Sequence, residues 1–160
     1  MNIELTLDQL KIGKASQNDW GPILKLLEET DLTSWFTGNE SYKNFYTVKE
    51  PELKKIICCF AIEHENNVGI LKSFAIAKKI QGKGYGKLIA NKSPEIAKEL
   101  SIKKLYAASK EAPNFWIKTI FKEIKYGEIE DSYFLKYLNC FKDKVENYFE
   151  KTHYFLIQLD

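Results

Sequence analysis

The sequence contains no arginine, and all 24 of its basic residues are lysine. A lysine ammonium is a point charge, whereas the planar guanidinium of arginine can bind a carboxylate or phosphate through two hydrogen bonds. Any bound anion must therefore be held by lysine charges or by backbone amides. The formal net charge is only +2, which is too small for the whole surface to bind nucleic acid electrostatically.

Long apolar runs are also missing. The longest one, residues 56–62, is far shorter than the roughly 20 residues that a membrane-spanning helix needs. The first ten residues have neither a basic start nor an apolar centre, so the sequence predicts no secretory signal and no membrane contact. We therefore expect the protein to be cytoplasmic.

Cysteine is scarce. Cys58, Cys59 and Cys140 are odd in number and lack the CxxC spacing of many zinc sites. The side chains of adjacent Cys58 and Cys59 would point to opposite faces of a strand, which suits no single metal ion. We predict no metal site and expect buried, reduced thiols.

The pattern of apolar residues predicts one mixed α/β (α+β) domain, which suits a chain of 160 residues. Residues 56–62 are apolar without alternation, as expected of a strand that is covered on both faces. Pro94 lies inside a predicted helix, where a kink or a late start is expected. Strands are predicted at residues 5–14, 43–49, 54–63, 68–77, 104–108, 125–130 and 152–159, and helices from residue 20 and at residues 87–100, 114–121 and 131–149.

The start of the first helix carries a specific signal. Ser16 followed by Asp19 resembles a capping box, in which the two residues satisfy each other's free backbone groups. Trp20, Ile23 and Leu27 then recur on one face of the helix, as i, i+3 and i+7.

The segment IQGKGYGK, residues 80–87, carries glycines at every second position from Gly82 to Gly86. A glycine-rich turn that follows a strand and enters a helix can bind an anion, because successive backbone N–H groups converge on it and the helix start adds positive charge. A turn that serves packing alone is the alternative. Leu88 stands where a P-loop needs Ser or Thr, and Ile89 breaks the dinucleotide pattern G-x-G-x-x-G.

Gln81, Gly84 and Gly86 do match the pattern Q-x-x-G-x-G. Together with the preceding strand SFAI and the order of the elements, this pattern makes the chain resemble the GCN5-related N-acetyltransferase (GNAT) family over most of its length. The resemblance implies a single-domain GNAT fold, in which helices cover both faces of a mixed sheet and a bulge splays the fourth strand from the fifth. It also implies acetyl-CoA as the co-substrate and no metal.

Family members hold the pantetheine arm along the fourth strand and the pyrophosphate at the glycine turn. A strand N–H near the thioester would polarise its carbonyl. The resemblance thus implies cofactor contacts from the strand, the turn and a later polar pair, namely Phe74, Ala75 and Ile76; Gln81, Gly82, Lys83, Gly84, Tyr85, Gly86 and Lys87; and Ser109 and Asn114.

Acetyl transfer to an amine needs a base for the amine and an acid for the leaving thiolate. We favour Glu63 as the base, with His64 or Glu65 as substitutes, and an exposed charge at a hairpin is the alternative for Glu63. Trp116 stands where the family usually has an acidic Tyr, so the acid stays open among Tyr85, Tyr106 and Tyr126.

The stretch from Glu63 to the glycines also resembles the acetyltransferases of phosphinothricin- or arsinothricin-type amino acids. That resemblance implies that Lys72, with Ser73, binds the acidic end of the acceptor; a solvated lysine at a strand edge is the alternative. The aromatic segment 131–149 reads as a helical insertion before the last strand. It lines the acceptor pocket, packs on the sheet, or contacts a second subunit of a homodimer.

The expected function is acetyl-CoA-dependent N-acetylation, with direct transfer to the amine of a small molecule such as an amino acid. Two alternatives stay open: acetylation of protein N-termini or lysines, and a CoA-binding module that performs no chemistry.

Overall fold

The computed structural model describes residues 5–110, 112–143 and 148–160. Within these residues seven strands and five helices follow one another along the chain. They are β1 (Ile12–Lys14), α1 (Trp20–Glu29), β2 (Phe45–Lys49), β3 (Ile56–Glu65), β4 (Val68–Ile76), α2 (Tyr85–Glu99), β5 (Lys104–Ser109), α3 (Pro113–Ile117), β6 (Lys122–Ile124), α4 (Ser132–Asn139), α5 (Tyr148–Lys151) and β7 (His153–Gln158).

The strands form one mixed sheet in the order β1-β2-β3-β4-β5-β7-β6. β4 and β5 are parallel, as expected of strands joined through the crossover helix α2. The pairs β1–β2, β2–β3, β5–β7 and β6–β7 are antiparallel. The predicted mixed α/β fold is therefore confirmed. No helix in the described part of the chain has the length and apolar character needed to cross a membrane.

Internal contacts divide the chain into two compact units. The first comprises the described residues up to Ala61 together with Ser73–Ile89, and the second comprises Ile62–Lys72 with the described residues from Ala90 onward. The strands β3 and β4 each contribute residues to both units. The prediction of a single domain with a helical insertion at 131–149 stays a prediction.

The strand β3 is buried on both faces, as its unbroken apolar run predicts. Residues 57–62 are all buried, and Cys58 and Cys59 are fully enclosed. Burial raises the pKa of the Cys59 thiol to about 12 and that of Cys58 well above its usual value. These two thiols are therefore protonated packing groups. Cys140 is exposed at the end of α4, so the prediction of burial is wrong for that residue.

Three predicted elements differ from the structure. The strand predicted at residues 5–14 is reduced to Ile12–Lys14, and a 3-10 turn occupies Leu7–Gln9. The strand predicted at 125–130 is wrong: β6 lies at Lys122–Ile124 and a 3-10 turn follows, in which the backbone N–H of Lys125 donates to the Glu128 carboxylate at 2.9 Å. The helix predicted at 131–149 covers only Ser132–Asn139 before α5, and residues 144–147 lie outside the described part.

The late helix start expected at Pro94 is also wrong, because α2 runs from Tyr85 to Glu99 with the proline inside it. Proline lacks the N–H that would donate to the carbonyl four residues earlier, which is that of Ala90. The Ser93 hydroxyl donates to this same carbonyl at 2.7 Å. A side chain thus replaces the missing backbone hydrogen bond and the helix continues.

The start of α1 depends on Asp19, which is buried. Its carboxylate accepts hydrogen bonds from the backbone N–H of Ser16 at 2.8 Å and from the Ser16 hydroxyl at 3.2 Å, and it pairs with the Lys49 ammonium at 2.9 Å. Burial alone would raise the pKa of Asp19, but the hydrogen bonds from Ser16 and the contact with Lys49 outweigh burial. The pKa of Asp19 therefore lies below the usual value of 3.8.

We predict that Asp19→Asn lowers the free energy of unfolding at pH 7, and that the difference from wild type shrinks as the pH falls below about 4. A lowered pKa in the folded state stabilises the protein only above the unfolded-state pKa, and this contribution is lost as the carboxylate protonates. Urea unfolding at a series of pH values measures it, with the exposed Glu29→Gln as control. A difference that is independent of pH would contradict this origin.

The start of β4 leaves no room for a side chain at Gly69. A Cβ atom there would lie 2.6 Å from Cδ1 of Ile102 and 3.2 Å from Cδ1 of Leu105, and both residues are buried. We predict that Gly69→Ala lowers the free energy of unfolding by about 1–3 kcal/mol, as overpacked cores do. Gly13→Ala in β1 is the control, since no atom lies within 4 Å of its Cβ position. Equal thermal shifts for the two variants would refute this prediction.

Candidate functional site

The backbone of β4 changes conformation in mid-strand, at Ser73. This residue has a φ of 54°, in the left-handed region, which is typical of a β-bulge and costs roughly 1–3 kcal/mol for a residue other than glycine. The parallel pairing with β5 joins Val68–Ile70 to Lys104–Tyr106. The change of conformation thus comes three residues after the last residue of β4 that pairs with β5. The buried Ser73 hydroxyl has no hydrogen-bond partner within the described residues.

After Ser73, β4 remains attached to β3 on one side. The rings of Phe74 and Phe60 stack with their centroids 5.8 Å apart, and the backbone N–H of Ala77 donates to the carbonyl of Ile57 at 2.8 Å. Among the described residues, no pairing joins Phe74, Ala75 or Ile76 to β5. An extended ligand can add to such a strand edge as another strand would.

The glycine turn lies between β4 and α2 and has the geometry of an anion-binding turn. Gly82 and Gly84 have φ values of 80° and 84°, and a Cβ at either position would meet no atom within 4 Å. The backbone conformation, rather than a lack of space, therefore requires glycine. Gln81 anchors the turn, since its Nε2 donates to the carbonyl of Ile76 at 2.8 Å. The first N–H groups of α2, from Tyr85 onward, have no acceptor within the helix and can bind an anion.

The other side chains of the turn lie at its surface. Lys83 and Lys87 are exposed, so their charges stand at the rim of the turn, and Gly86 lies in the first turn of α2. The Tyr85 hydroxyl accepts a hydrogen bond from the backbone N–H of Leu5 at 2.8 Å. This contact fixes the start of α2 and occupies one of the three tyrosines named as acid candidates.

The second unit contains a compact cluster around the predicted base. The Glu63 carboxylate, on β3, lies 3.5 Å from the Lys72 ammonium, on β4, and the exposed fractions of these side chains are 22% and 1%. The Lys72 ammonium also lies 5.1 Å from the ring centroid of Tyr137, on α4. The structure thus brings together Glu63 and Lys72, which the sequence assigned to different roles, and adds an aromatic ring from α4.

Tyr133, on α4, lies close enough to Glu63 and Glu65 for their negative charges to raise its pKa. Burial, followed by the negative charges of Glu63 and Glu65, raises the pKa of the Tyr133 phenol to about 12. The phenol therefore stays protonated near neutral pH, where it can donate a hydrogen bond to a carboxylate. Helical periodicity predicted a helix here, but nothing in the sequence indicated that Tyr133 and Tyr137 would meet Glu63 and Lys72.

His64 is separated from this cluster by the geometry of β3. Successive side chains of a strand point to opposite faces, so His64 faces away from Glu63 and Glu65. His64 is exposed, and its Nδ1 lies 3.4 Å from the carbonyl of Asn66 in the hairpin turn. Its contacts are those of a turn residue.

The later polar residues have local contacts of their own. The Ser109 hydroxyl, at the end of β5, accepts a hydrogen bond from the backbone N–H of Ala112 at 3.0 Å, which shapes the entry into α3. Asn114 is exposed in the first turn of α3. The structure leaves their predicted contacts with CoA as predictions.

The residue at the usual acid position is part of the core. Trp116 is buried and its ring contacts the rings of Phe115, Phe121 and Phe155. Its indole fills space between aromatic side chains and carries no proton that could serve as an acid.

Tyr106, another acid candidate, is also tied into the structure. Its hydroxyl donates to the Asp131 carboxylate at 2.5 Å, and its ring stacks on Phe134 at 4.4 Å between centroids. Burial first, then the charges of Asp131 and Glu130, raise the pKa of Tyr106. Tyr106 thus anchors α4 and is a poor proton donor. Tyr126 is partly exposed and contacts the ring of Tyr154.

In the ranges that the structure describes, no three His, Cys, Asp or Glu side chains are grouped so that they could hold a metal ion. A depression of about 480 Å³ on β5, β6 and β7 is lined in part by Lys104, Tyr106 and Leu156. Its lining includes the acid candidate Tyr106 but not Glu63, Lys72 or the residues of the glycine turn.

Comparison with known proteins agrees with the geometry of the glycine turn. The family model described as "Acetyltransferase (GNAT) family" matches residues 15–116, which include β4, the glycine turn, α2 and β5. The chain belongs to this family. The part beyond residue 116, with β6, α4, α5 and β7, lies outside the match. A comparison with curated protein sequences finds no match.

Solved structures share the fold of this GNAT member at low sequence identity. Rv2747 from Mycobacterium tuberculosis, solved with CoA, has a TM-score of 0.72 and 17% identity, over 94% of this chain and 99% of that one. N-acetylglutamate synthase from Neisseria gonorrhoeae, solved with CoA and N-acetyl-glutamate, has a TM-score of 0.71 and 18% identity, over 94% of this chain and 35% of that one. A protein provisionally assigned as a phosphinothricin N-acetyltransferase has a TM-score of 0.59 and 16% identity, over 94% of this chain and 98% of that one. At these identities the likeness shows the fold alone.

We predict that Gly84→Ala weakens acetyl-CoA binding to this family member by about 5- to 30-fold. A left-handed conformation costs an alanine roughly 1–2 kcal/mol, which the bound state would have to supply. Isothermal titration calorimetry measures the dissociation constant. Gly127→Ala is the control, because Gly127 has room for a Cβ and lies outside the turn. Unchanged affinity in Gly84→Ala would show that the turn conformation is not needed for binding.

Proposed function

We propose that the protein is an acetyl-CoA-dependent N-acetyltransferase that transfers acetyl directly to the amine of a small molecule of amino-acid type. One observation carries this proposal: a strand redirected at Ser73 leads into a turn with left-handed Gly82 and Gly84 at the start of a helix. Membership of the acetyltransferase family supports the donor. The names of the structural neighbours support an amino-acid acceptor.

In this proposal the donor lies along the end of β4. Backbone groups of Phe74, Ala75 and Ile76 hydrogen-bond the pantetheine arm, and the N–H groups of residues 82–87 bind the pyrophosphate. Without arginine, most of the phosphate binding comes from these amides, while Lys83 and Lys87 add charge at the rim. Ser109 and Asn114 are proposed as further contacts to the pantetheine arm.

The chemistry then requires two protons to leave the acceptor's ammonium and one to reach the sulfur. Glu63 accepts the first proton from the ammonium, directly or through a water molecule, and the neutral nitrogen attacks the thioester carbon. The carbon–sulfur bond breaks as the carbonyl re-forms, and the nitrogen loses its second proton to water, which gives the amide and the CoA thiolate. A thiol has a pKa near 8.5, so the thiolate can leave as an anion and take a proton from water. No tyrosine acid is needed.

The acceptor is proposed to carry an acidic group, in keeping with the names of two structural neighbours. The sequence assigned Lys72 and Ser73 to that group. The Ser73 hydroxyl is buried and has no hydrogen-bond partner in the described structure, so it is proposed as the direct contact, whereas the enclosed Lys72 ammonium beside Glu63 adds positive charge without touching the acceptor. These groups suit an amino acid or a phosphinothricin-like analogue. The burial of Trp116, at the position where the family has an acidic tyrosine, favours one second candidate: a module that binds CoA without turnover.

Release of free thiol from acetyl-CoA distinguishes the two candidates. The assay uses a panel of acidic amino acids, phosphinothricin, neutral amino acids, polyamines and lysine-containing peptides. We expect turnover with acidic amino acids or phosphinothricin and little with polyamines. CoA binding without turnover for any amine would favour the binding module, and turnover confined to peptides would show that the acceptor is a protein.

We predict that Glu63→Gln lowers kcat by about 100-fold or more, because general base catalysis contributes at least this factor. Acetyl-CoA affinity should not change. Glu65→Gln is the matched control, since Glu65 lies on the same face of β3 at the exposed end of the strand. The rate of thiol release at a series of acetyl-CoA concentrations gives kcat and the KM for acetyl-CoA. A larger loss in Glu65→Gln than in Glu63→Gln would reassign the base.

A further inference from the structure

The burial of Lys72 is unusual for a charged side chain. Its exposed fraction is 1%, although lysine is almost never fully buried unless it is paired. The sequence suggested either a contact to the acceptor or a solvated lysine at a strand edge. The structure contradicts the second reading, because the ammonium is enclosed.

Among the described residues, the Lys72 ammonium faces a carboxylate and an aromatic ring. The Glu63 carboxylate lies 3.5 Å away and supplies the opposite charge, and the ring of Tyr137 lies 5.1 Å away at the distance of a cation–π contact. The ring comes from α4, where Tyr137 is buried. The ammonium is thus held between the sheet and the insertion, and it faces Glu63.

We propose that Lys72 is a positioning residue for Glu63, and that Tyr137 keeps Lys72 in place. The inference rests on the proposed function, in which Glu63 is the general base. The ion pair fixes the orientation of the carboxylate that accepts the amine proton. When Glu63 takes that proton the pair loses its attraction, and release of the proton to solvent restores it.

This role assigns a function to the insertion. Tyr137 contacts Lys72, and the negative charges of Glu63 and Glu65 reach Tyr133 on the same helix. The charged and titratable groups at the base therefore come from β3, β4 and α4, namely Glu63, Glu65, Lys72, Tyr133 and Tyr137. In this arrangement α4 determines the geometry of the base.

Lys72→Met tests the proposal, because methionine keeps most of the length of lysine and removes the charge. We expect kcat to fall by about 10- to 100-fold, the loss expected when a catalytic group is misplaced, with little change in the KM for the acceptor. Lys72→Arg should restore part of the loss. In a Glu63→Gln background the same substitution should have almost no further effect on kcat, since residues that act as a unit are not additive.

Lys49→Met is the matched control. Lys49 also pairs with a carboxylate, that of Asp19 at 2.9 Å, but it lies outside the Glu63 cluster. Its removal should leave kcat unchanged. Acetyl-CoA affinity and thermal unfolding of every variant show whether the fold is retained.

Three results would overturn the proposal. A rise in acceptor KM with unchanged kcat in Lys72→Met would mean that Lys72 contacts the acceptor directly. Equal losses in the wild-type and Glu63→Gln backgrounds would mean that Lys72 acts independently of Glu63. Unchanged kcat in Lys72→Met, when Glu63→Gln is impaired, would show that Lys72 does not position Glu63.

Failure of the proposed function is distinguishable from these results. If the wild-type protein acetylates no amine, the function fails first, and the pairing is then judged by thermal unfolding of the two single variants and the double variant. A double variant more stable than the sum of the single effects would retain Lys72 as the partner of Glu63. If the changes in unfolding temperature of the two single variants add up to that of the double variant, Lys72 is not the partner of Glu63 and the proposal fails.

Discussion

The left-handed backbone of Ser73 is the constraint on which the rest of the site depends. Before this residue β4 pairs with β5 at Val68–Ile70, and after it the strand contacts β3 and leads into the glycine turn. A serine adopts this conformation only where its surroundings enforce it. Those surroundings include β3, where the Cys59 thiol contacts the Ser73 carbonyl at 3.8 Å. The fully buried thiol, which burial keeps protonated, is thus part of the support.

The second constraint on the fold is the ion pair between the buried Lys72 ammonium and the partly buried Glu63 carboxylate. Removing a lysine from water is costly, and an ion pair offsets that cost only when its geometry is good. Here a carboxylate and an aromatic ring enclose the ammonium, and the ring depends on α4. The contact between Tyr106 and Asp131 fixes the start of the same helix. In the proposed reaction, binding of the donor therefore depends on backbone conformation, and activation of the acceptor depends on a buried charge.

The sequence predicted the conformation of the glycine turn because the turn is made of backbone. Glycine spacing, an apolar strand before it and a helix after it specify that conformation, and Gly82 and Gly84 have the positive φ values expected of such a turn. The cluster around Glu63 depends instead on side chains brought together from distant segments. Helical periodicity could place Tyr137 on a buried face, but the contact with Lys72 requires knowing how α4 packs. The continuity of α2 through Pro94 was missed for a similar reason, since one hydroxyl, that of Ser93, replaces the lost hydrogen bond.

The central claim is that the amides of residues 82–87 hold the pyrophosphate of CoA while β4 holds the pantetheine arm. Backbone amide chemical shifts, recorded by NMR as ligand is added, test it most directly. CoA should shift the amides of residues 82–87 and of residues 74–76, whereas pantetheine, which lacks the pyrophosphate, should shift only residues 74–76. Binding of CoA that leaves the amides of residues 82–87 unmoved would contradict the account.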